Sequence, residues 1–456
     1  MTLLPVIFED QALVGFRPLS WTVPVCELRC GILNPRERLR AISGQDPALL
    51  LRTLLEPLAR DAGHAVGSDP LRAPLAAGAR LLLVSGRLGS SWDLLEEAHR
   101  LARAGEDLAW RDAEGWLAVS AAGDRATALL DAWDRWRAEA DAAGCWRAAG
   151  VAVPDWEPEI GENVRTVGGA WRRIWDLVPA TAAAIAADLE RLAGELPERH
   201  IWGAVPVAAD GAFWAEPVML TAMSARGGAA DGGPTVLGDH PVLVGPGCDL
   251  APGICLDARS GPVVLGRQVT VLPHSYLAGP VFVGSGAQIK AGATIYGETS
   301  IGAVCKVGGE VGETTMLDFG NKQHEGFIGH AYLGSWVNLG ALTTCSDLKN
   351  TYGEIRVDLG AGPEPSGQRF VGVLMGEHAR TAIGTLFNTG TTVGFASNVF
   401  GTGFPEKALP CFTWGDGRDE TRQDPRRALE VAGVAMGRRG CLLTSGHEGI
   451  FTALGS

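Results

Sequence analysis

From Leu265 onward an aliphatic residue returns at every sixth position: Leu265, Val271, Leu277, Val283, Ile289, Ile295, Ile301 and Val307. The fourth position after each is also restricted, holding Val269, Ser275, Val281, Ala287, Ala293, Thr299, Cys305 and Val311, all small or β-branched. Glycine often follows the aliphatic residue, as at Gly266, Gly284, Gly302 and Gly308. A helical period of 3.6 would scatter this pattern, and a strand period of 2 gives no reason for six. A six-residue period instead predicts a parallel β-helix, in which each hexad forms one flat face of a triangular coil. The aliphatic residues become core columns, and small residues fit corners where the backbone bends tightly. This frame leaves the chemistry open.

The hexads begin at Val244, Leu250 and Leu256 and shift phase by three residues near Gly261-Pro262 before the unbroken run. After Val311 the phase fails from Glu313 to Gln323, which predicts an excursion carrying ETTMLDFGNKQH out of the coil. Order resumes at Leu333 and Leu339, and again at Phe387, Val393 and Val399, with a polar Gly/Pro-containing loop between Cys345 and Gly367. Residues 1 to about 120 read as mixed α/β, with a buried strand at Ala79 to Val84 and helical spacing in LLRTLLEPLARDAG and SWDLLEEAHRLARAG. An Ala-rich amphipathic helix is expected between roughly 124 and 150. One or two helices are expected from Ala170, with a break near Pro179. Glycines between Ser224 and Pro234 suggest a linker, and a helix from Arg426 to Met436 follows the charged DGRDETRQDPRR. The expected division is an α/β domain with helical connector (1–223), a parallel β-helix (235–414) and a C-terminal helical tail (415–456).

A chain of 456 residues with 46% hydrophobic content supplies core for two or three domains. A net charge of −13 argues against nucleic acid or an anionic membrane surface as partner, since both require a basic patch. The opening MTLLPVIFEDQALVGF makes a poor secretory signal, and no apolar run approaches the roughly 20 residues needed to span a bilayer. Nine scattered cysteines without a C-x-x-C pair indicate neither a zinc site nor a disulfide framework. Cys305 and Cys248 fall on the small-residue column as core filler, and a reducing cytoplasm fits.

Loops leaving a repetitive scaffold are where chemistry usually sits. His324 ends the expected excursion, and its neutral imidazole can take a proton from an amine or hydroxyl, the task of a general base in acyl transfer. Backbone N–H groups of coil turns could hold the oxyanion. The plainer reading is a turn-capping histidine. A metal site built from His324, His330 and His378 is disfavoured, because a six-residue step puts His330 on the adjacent face.

The segment H-E-G-F-I-G-H-A-Y-L-G-S-W-V-N-L-G-A, from His324, resembles the active-site coil of a hexapeptide-repeat acyltransferase family. That family is the bifunctional glucosamine-1-phosphate acetyltransferase and N-acetylglucosamine-1-phosphate uridylyltransferase of UDP-GlcNAc biosynthesis. The resemblance implies a left-handed β-helix, a homotrimer with sites shared between neighbouring chains, and acetyl-CoA as co-substrate. It implies His324 as general base, Asn338 at the sugar, Ala341 near acetyl-CoA and Lys290 at the sugar phosphate. Departures are Phe327 for a tyrosine, Gly312 for a basic residue and Ser346-Asp347 for an Asn-Tyr pair, with Lys349, Asn350 and Tyr352 close by as substitutes in sugar binding.

The stretch F-R-P-L-S-W-T-V-P-V, from Phe16, is similar to the R-x-x-P-L-T-x-x-x-P-K opening of nucleotidyltransferases, whose glycine-rich backbone and cations cradle a triphosphate. Arg17, Pro18, Leu19 and Pro24 are kept; the glycine cluster is reduced to Gly15, Val25 replaces the lysine, and Arg87 stands where a Mg²⁺-ligating Asp is expected. Arg17 and Arg29 are the implied nucleotide contacts, with Mg²⁺ required only if this half is active. Arg29, Arg36, Glu37 and Arg38 read either as compensation for the lost lysine or as a solvated helix face. Three functions follow: acyl transfer to an amino-sugar phosphate, nucleotidyl transfer to a sugar 1-phosphate with the β-helix as scaffold, or ligand binding without catalysis.

Overall fold

A computed structural model describes residues 2–146, 151–159, 164–199, 201–207, 214, 216–223 and 233–456. The expected linker at Ser224 to Pro234 falls almost wholly outside the described residues.

The N-terminal α/β domain is built on a six-stranded sheet of order β2-β1-β3-β5-β4-β6. Its strands are β1 (Leu3–Phe8), β2 (Ala48–Leu50), β3 (Arg80–Ser85), β4 (Leu108–Arg111), β5 (Trp116–Ala122) and β6 (Arg165–Thr166). β1 runs parallel to β2 and β3, whereas β5 is antiparallel to both β3 and β4. β1 and β3 are buried along nearly their whole length, as uninterrupted apolar runs such as Leu81-Leu82-Leu83-Val84 require of central strands. Helices α1 (Pro35–Ser43), α2 (Glu56–Asp61), α3 (Asp69–Ala76), α4 (Trp92–Arg103), α5 (Gly123–Ala142) and α6 (Leu177–Leu192) surround it. α6 is one helix without a break at Pro179. The proline falls in the first turn, where its missing N–H has no intrahelical acceptor to lose.

The second domain is a parallel β-solenoid whose coils have three faces. The first is a ten-stranded sheet from Thr221–Ala222 to Ala408–Leu409. The second runs Asp249–Leu250, Thr270–Val271, Gln288–Ile289, Lys306–Val307 and Asn321–Lys322, and continues through a bridge at Asn338 to Arg380–Thr381 and Asn398–Val399. The third contains Tyr276–Ala278, Thr294–Ile295, Glu310–Gly312 and Phe327–Gly329. Every aliphatic residue of the hexad run is buried in one core cluster. The expected three-residue shift is present: Val244 pairs with Leu265, 21 positions on, whereas Leu265 pairs with Val283, 18 on.

The expected excursion from Glu313 to Gln323 does not form. Thr315–Met316 pairs with Ser300-Ile301, and Asn321–Lys322 pairs with Lys306-Val307, so the chain stays in the coil. The phase is lost because this coil is 15 residues long instead of 18. The shortened register turns Lys322 into a core column, where it is 3% exposed and donates from Nζ to the carbonyls of Gly308 and His324, both at 2.7 Å. A true insertion leaves the coil after Thr344–Cys345 and forms a hairpin of Arg356–Asp358 with Pro363–Pro365. Beyond the solenoid there are two helices: α7 (Pro425–Gly437), the expected one, and α8 (Ser445–Gly455), which packs on α2 and α7.

The first face docks on the N-terminal domain. Val264 and Phe282 pack with Ile32, Leu33 and Ile185. Ser300 Oγ donates to the Gly31 carbonyl at 2.7 Å and Tyr332 Oη to the Arg29 carbonyl at 2.8 Å. The reading of Arg29, Arg36, Glu37 and Arg38 as a solvated helix face is corrected here: all four are at most 2% exposed. Each charge has a partner. Arg29 meets Asp318, Arg36 meets Glu27, Glu37 meets Arg199 at 2.9 Å, and Arg38 Nε meets Asp188 Oδ1 at 2.8 Å. Asn34 caps α1, with its side chain accepting from Glu37 N at 2.8 Å.

Candidate functional site

Two corners of the solenoid and one interdomain cavity hold the residues with chemical potential. Three histidines mark the three corners of the coil. His324 lies between the second and third faces, His330 between the third and first, and His378 between the first and second. A triangular coil thus separates them, and His378 is buried among Trp336, Phe395 and Phe451. Among the described residues no group of three or more His, Cys, Asp or Glu side chains is placed to hold a metal.

At the second–third corner, four residues come together from separate stretches of sequence. Lys290 follows the Gln288–Ile289 strand, and its Nζ donates to Gln288 Oε1 at 3.0 Å. The next coil has Gly308 at the equivalent place, and a Cβ there would lie 2.9 Å from Lys290 Cβ and 2.6 Å from the Gln323 carbonyl. Glycine therefore lets the coil of Lys290 and the segment carrying His324 stack closely at this corner. His324 is exposed, and among the described residues its imidazole makes no hydrogen bond. Lys322, from inside the coil, fixes its carbonyl. One coil further, Leu342 N donates to the Glu325 carbonyl at 2.8 Å, which sets Ala341 against His324. Asn338 accepts from Asn321 Nδ2 at 2.7 Å on the adjoining second face.

The same face carries cations. Lys306 is held below the usual lysine range by partial burial and then by Arg439, Lys290 and Arg438. Among the described residues none of these four makes an ion pair. On a chain of net charge −13, such a grouping suits a phosphate-bearing ligand.

The structure places Lys349, Asn350 and Tyr352 elsewhere, on the insertion leaving the third–first corner. Lys349 Nζ donates to the Glu354 carbonyl, and Tyr352 is 70% exposed. That corner holds a pair the sequence reasoning passed over. His330 Nδ1 lies 2.8 Å from Asp347 Oδ2, and Glu313 Oε2 is 4.0 Å from the same nitrogen. The available signal was a spacing of 17, one coil in this part of the solenoid, which is also the spacing of Asn321 and Asn338.

In the N-terminal domain the carboxyl ends of β1, β2 and β3, where open α/β sheets bind ligands, are filled by internal ion pairs. Glu9 meets Arg52 at 2.5 Å, and Arg87 meets Asp112 at 2.9 Å with Asp10 4.0 Å away. Burial pushes the Asp10 carboxyl up to about 6 against the pull of Arg87. Glu9 and Asp112 are paired directly with arginines, and Asp10 Oδ2 is buried without a hydrogen-bond partner 4.0 Å from Arg87, so guanidinium groups occupy the place a Mg²⁺ ion would need beside these carboxylates. Arg29 is likewise committed, its Nη2 lying 2.8 Å from both oxygens of Asp318. Arg17 is different. Its guanidinium is buried, stacks 4.0 Å over Trp21, and has no carboxylate partner among the described residues. It lines a cavity of about 660 Å³ shared with Asp358, Thr392, Arg422 and Leu454.

Comparison with known proteins bears on the same domain. Residues 5–195 match the family model described as sugar nucleotidyl transferase. The chain thus carries a transferase domain. No curated protein matches significantly. A crystal structure of a single-site mutant of AntD, an N-acyltransferase from Bacillus cereus in complex with dTDP and coenzyme A, is 17% identical. That match covers 39% of this chain and 76% of that one with a TM-score of 0.15, too distant to inform the site. Among the described residues no helix is long and apolar enough to cross a membrane.

Proposed function

We propose that this sugar-nucleotide pathway transferase transfers an acyl group from acetyl-CoA to an amino-sugar phosphate at the second–third corner of its solenoid. The observation carrying the reading is the placement of Lys290, His324, Asn338 and Ala341, from three coils, at or beside that one corner, next to cations that form no ion pair among the described residues. In this account Lys290, with Lys306 and Arg439 nearby, binds the phosphate, and Asn338 contacts the sugar. Ala341 leaves room for the thioester. His324 removes a proton from the amine as nitrogen attacks the thioester carbonyl, and the coenzyme A thiolate leaves. The exposed Leu342 and Ile383 continue the same corner on later coils, an apolar edge suited to a neighbouring chain and consistent with a homotrimer of left-handed solenoids sharing sites.

The test is thiol release from acetyl-CoA with glucosamine 1-phosphate as acceptor. His324→Ala is expected to slow it by roughly 10² to 10⁴; activity that survives intact removes His324 as the base.

A second reading rests on Arg17. A buried guanidinium without a counter-ion among the described residues, facing a cavity of this size, supports nucleotide binding by the N-terminal domain. The ion pairs filling the strand ends argue against nucleotidyl transfer there. Pyrophosphate release from an NTP and a sugar 1-phosphate, lost in Arg17→Ala, would restore transfer as the activity.

A further inference from the structure

The third–first corner presents a base that the acyl-transfer site does not use. A carboxylate oxygen 2.8 Å from Nδ1 fixes the orientation of the His330 ring, as catalytic carboxylate–histidine pairs do. Among the described residues Nε2 makes no hydrogen bond, and the side chain is 23% exposed, so the free nitrogen faces solvent. Phe370 stacks on the imidazole with centroids 4.8 Å apart. Both Asp347 and Phe370 come from the insertion, which therefore builds half of this place.

The third face supplies the floor. Gly329 lies under the Phe327 ring and Asp347, because a Cβ there would meet Phe327 Cζ at 2.4 Å and Asp347 Oδ2 at 2.5 Å. Gly312, one coil earlier, similarly lies under the Tyr296 ring at 3.2 Å. The corner column is acidic. Glu313 is pushed up by burial, drawn down by His330, and raised further by Glu298 and Asp347. This surface of aromatic rings and carboxylates beside an oriented imidazole suits a cationic amine and repels a phosphate, the reverse of the second–third corner. His324 and His330 lie at opposite ends of the Phe327–Gly329 strand, on different corners of the coil.

We propose that His330, positioned by Asp347, is the general base of a second acyl-acceptor site that takes an unphosphorylated amine, of which an amino sugar is the simplest fit to the aromatic floor. The proposal rests on the reading of the solenoid as an acyl-thioester transferase. The bound ammonium first releases one proton to solvent; the neutral nitrogen then forms a C–N bond to the acyl carbon of acetyl-CoA and the C–S bond breaks. The amine proton passes to His330 Nε2 and on to the departing thiolate. Asp347 is a positioning residue and touches no substrate.

The experiment compares thiol release from acetyl-CoA with glucosamine and with glucosamine 1-phosphate, in the full-length chain and its His330→Gln, Asp347→Asn and Asp347→Glu variants. His330→Gln is expected to cut the glucosamine-dependent rate by roughly 10² to 10⁴ and shift acceptor preference toward the phosphate by a similar factor. Asp347→Asn is expected to lower kcat for glucosamine with KM unchanged, and Asp347→Glu to recover part of it. Release with glucosamine 1-phosphate but none with glucosamine would overturn this site and leave the parent reading standing. So would equal losses with both acceptors in His330→Gln, which mark a structural role. Release with neither acceptor overturns both.

Discussion

Nη2 of Arg29 lies 2.8 Å from each carboxylate oxygen of Asp318, joining the N-terminal domain to a coil of the solenoid through a pair that is almost wholly buried. Arg199 adds a second cation 3.7 Å from the same carboxylate, and the two arginines hold Asp318 below the usual carboxylate range although burial pushes the other way. Removing one member of a buried pair leaves an uncompensated charge, which costs about 3 to 5 kcal/mol. Arg29→Ala is expected to destabilise toward the lower end, because Arg199 remains. Arg29→Met combined with Asp318→Leu should recover most of the loss, as measured by urea unfolding.

Glu377 gives the interface a pH dependence. It is buried beside Thr22 and Ser335 at the solenoid's first–second corner, and burial raises its carboxyl to about 7. The folded state therefore holds a proton that the unfolded chain releases near its ordinary value of 4.5. This contribution is fully present below pH 4.5 and is lost as pH rises through 7, with a slope of up to about 1.4 kcal/mol per pH unit. Glu377→Gln should flatten that part of the stability profile; an unchanged slope would contradict the assignment.

Lys322 titrates with the opposite sign. Burial in a core column lowers it to about 8, against an ordinary 10.5, while Glu325 and Glu310 pull it back up. The unfolded chain then binds more protons between these values, so stability should rise from pH 8 toward 10 in the parent protein. Lys322→Met should lack the rise. Denaturant midpoints across that range decide the matter.

The sequence carried the solenoid to the residue, because a six-residue period has a single geometric cause, and the columns from Leu265 to Val307 all point inward. It misled where the period broke. A short coil and a departing loop leave the same trace in a hexad count, so Glu313 to Gln323 read as an excursion although backbone pairing continues through it. Arg29, Arg36, Glu37 and Arg38 were illegible for another reason: a run of charges looks solvated unless its partners are known, and apart from Glu27, which meets Arg36, those partners, Asp188, Arg199 and Asp318, lie more than a hundred residues away. The resemblance pointed to Lys290, His324, Asn338 and Ala341, which the fold sets at or beside one corner, whereas the His330–Asp347 pair needed the coil length before its two halves could be set side by side.

If Lys290 binds the acceptor phosphate, its loss should act on binding before chemistry. Lys290→Gln is expected to raise KM for glucosamine 1-phosphate roughly 10- to 100-fold, the scale of one hydrogen bond to a charged group, with kcat little changed. A fall in kcat at constant KM would place Lys290 at the reacting centre instead.

The most direct measurement is the position of acetyl-CoA bound to crystals of this protein. Acyl transfer on the solenoid requires its thioester carbonyl at the second–third corner, against Ala341 and within hydrogen-bond reach of His324 once an acceptor bridges them. Coenzyme A seated instead in the interdomain cavity at Arg17, with the corner empty at saturating concentration, would contradict acyl transfer on the solenoid.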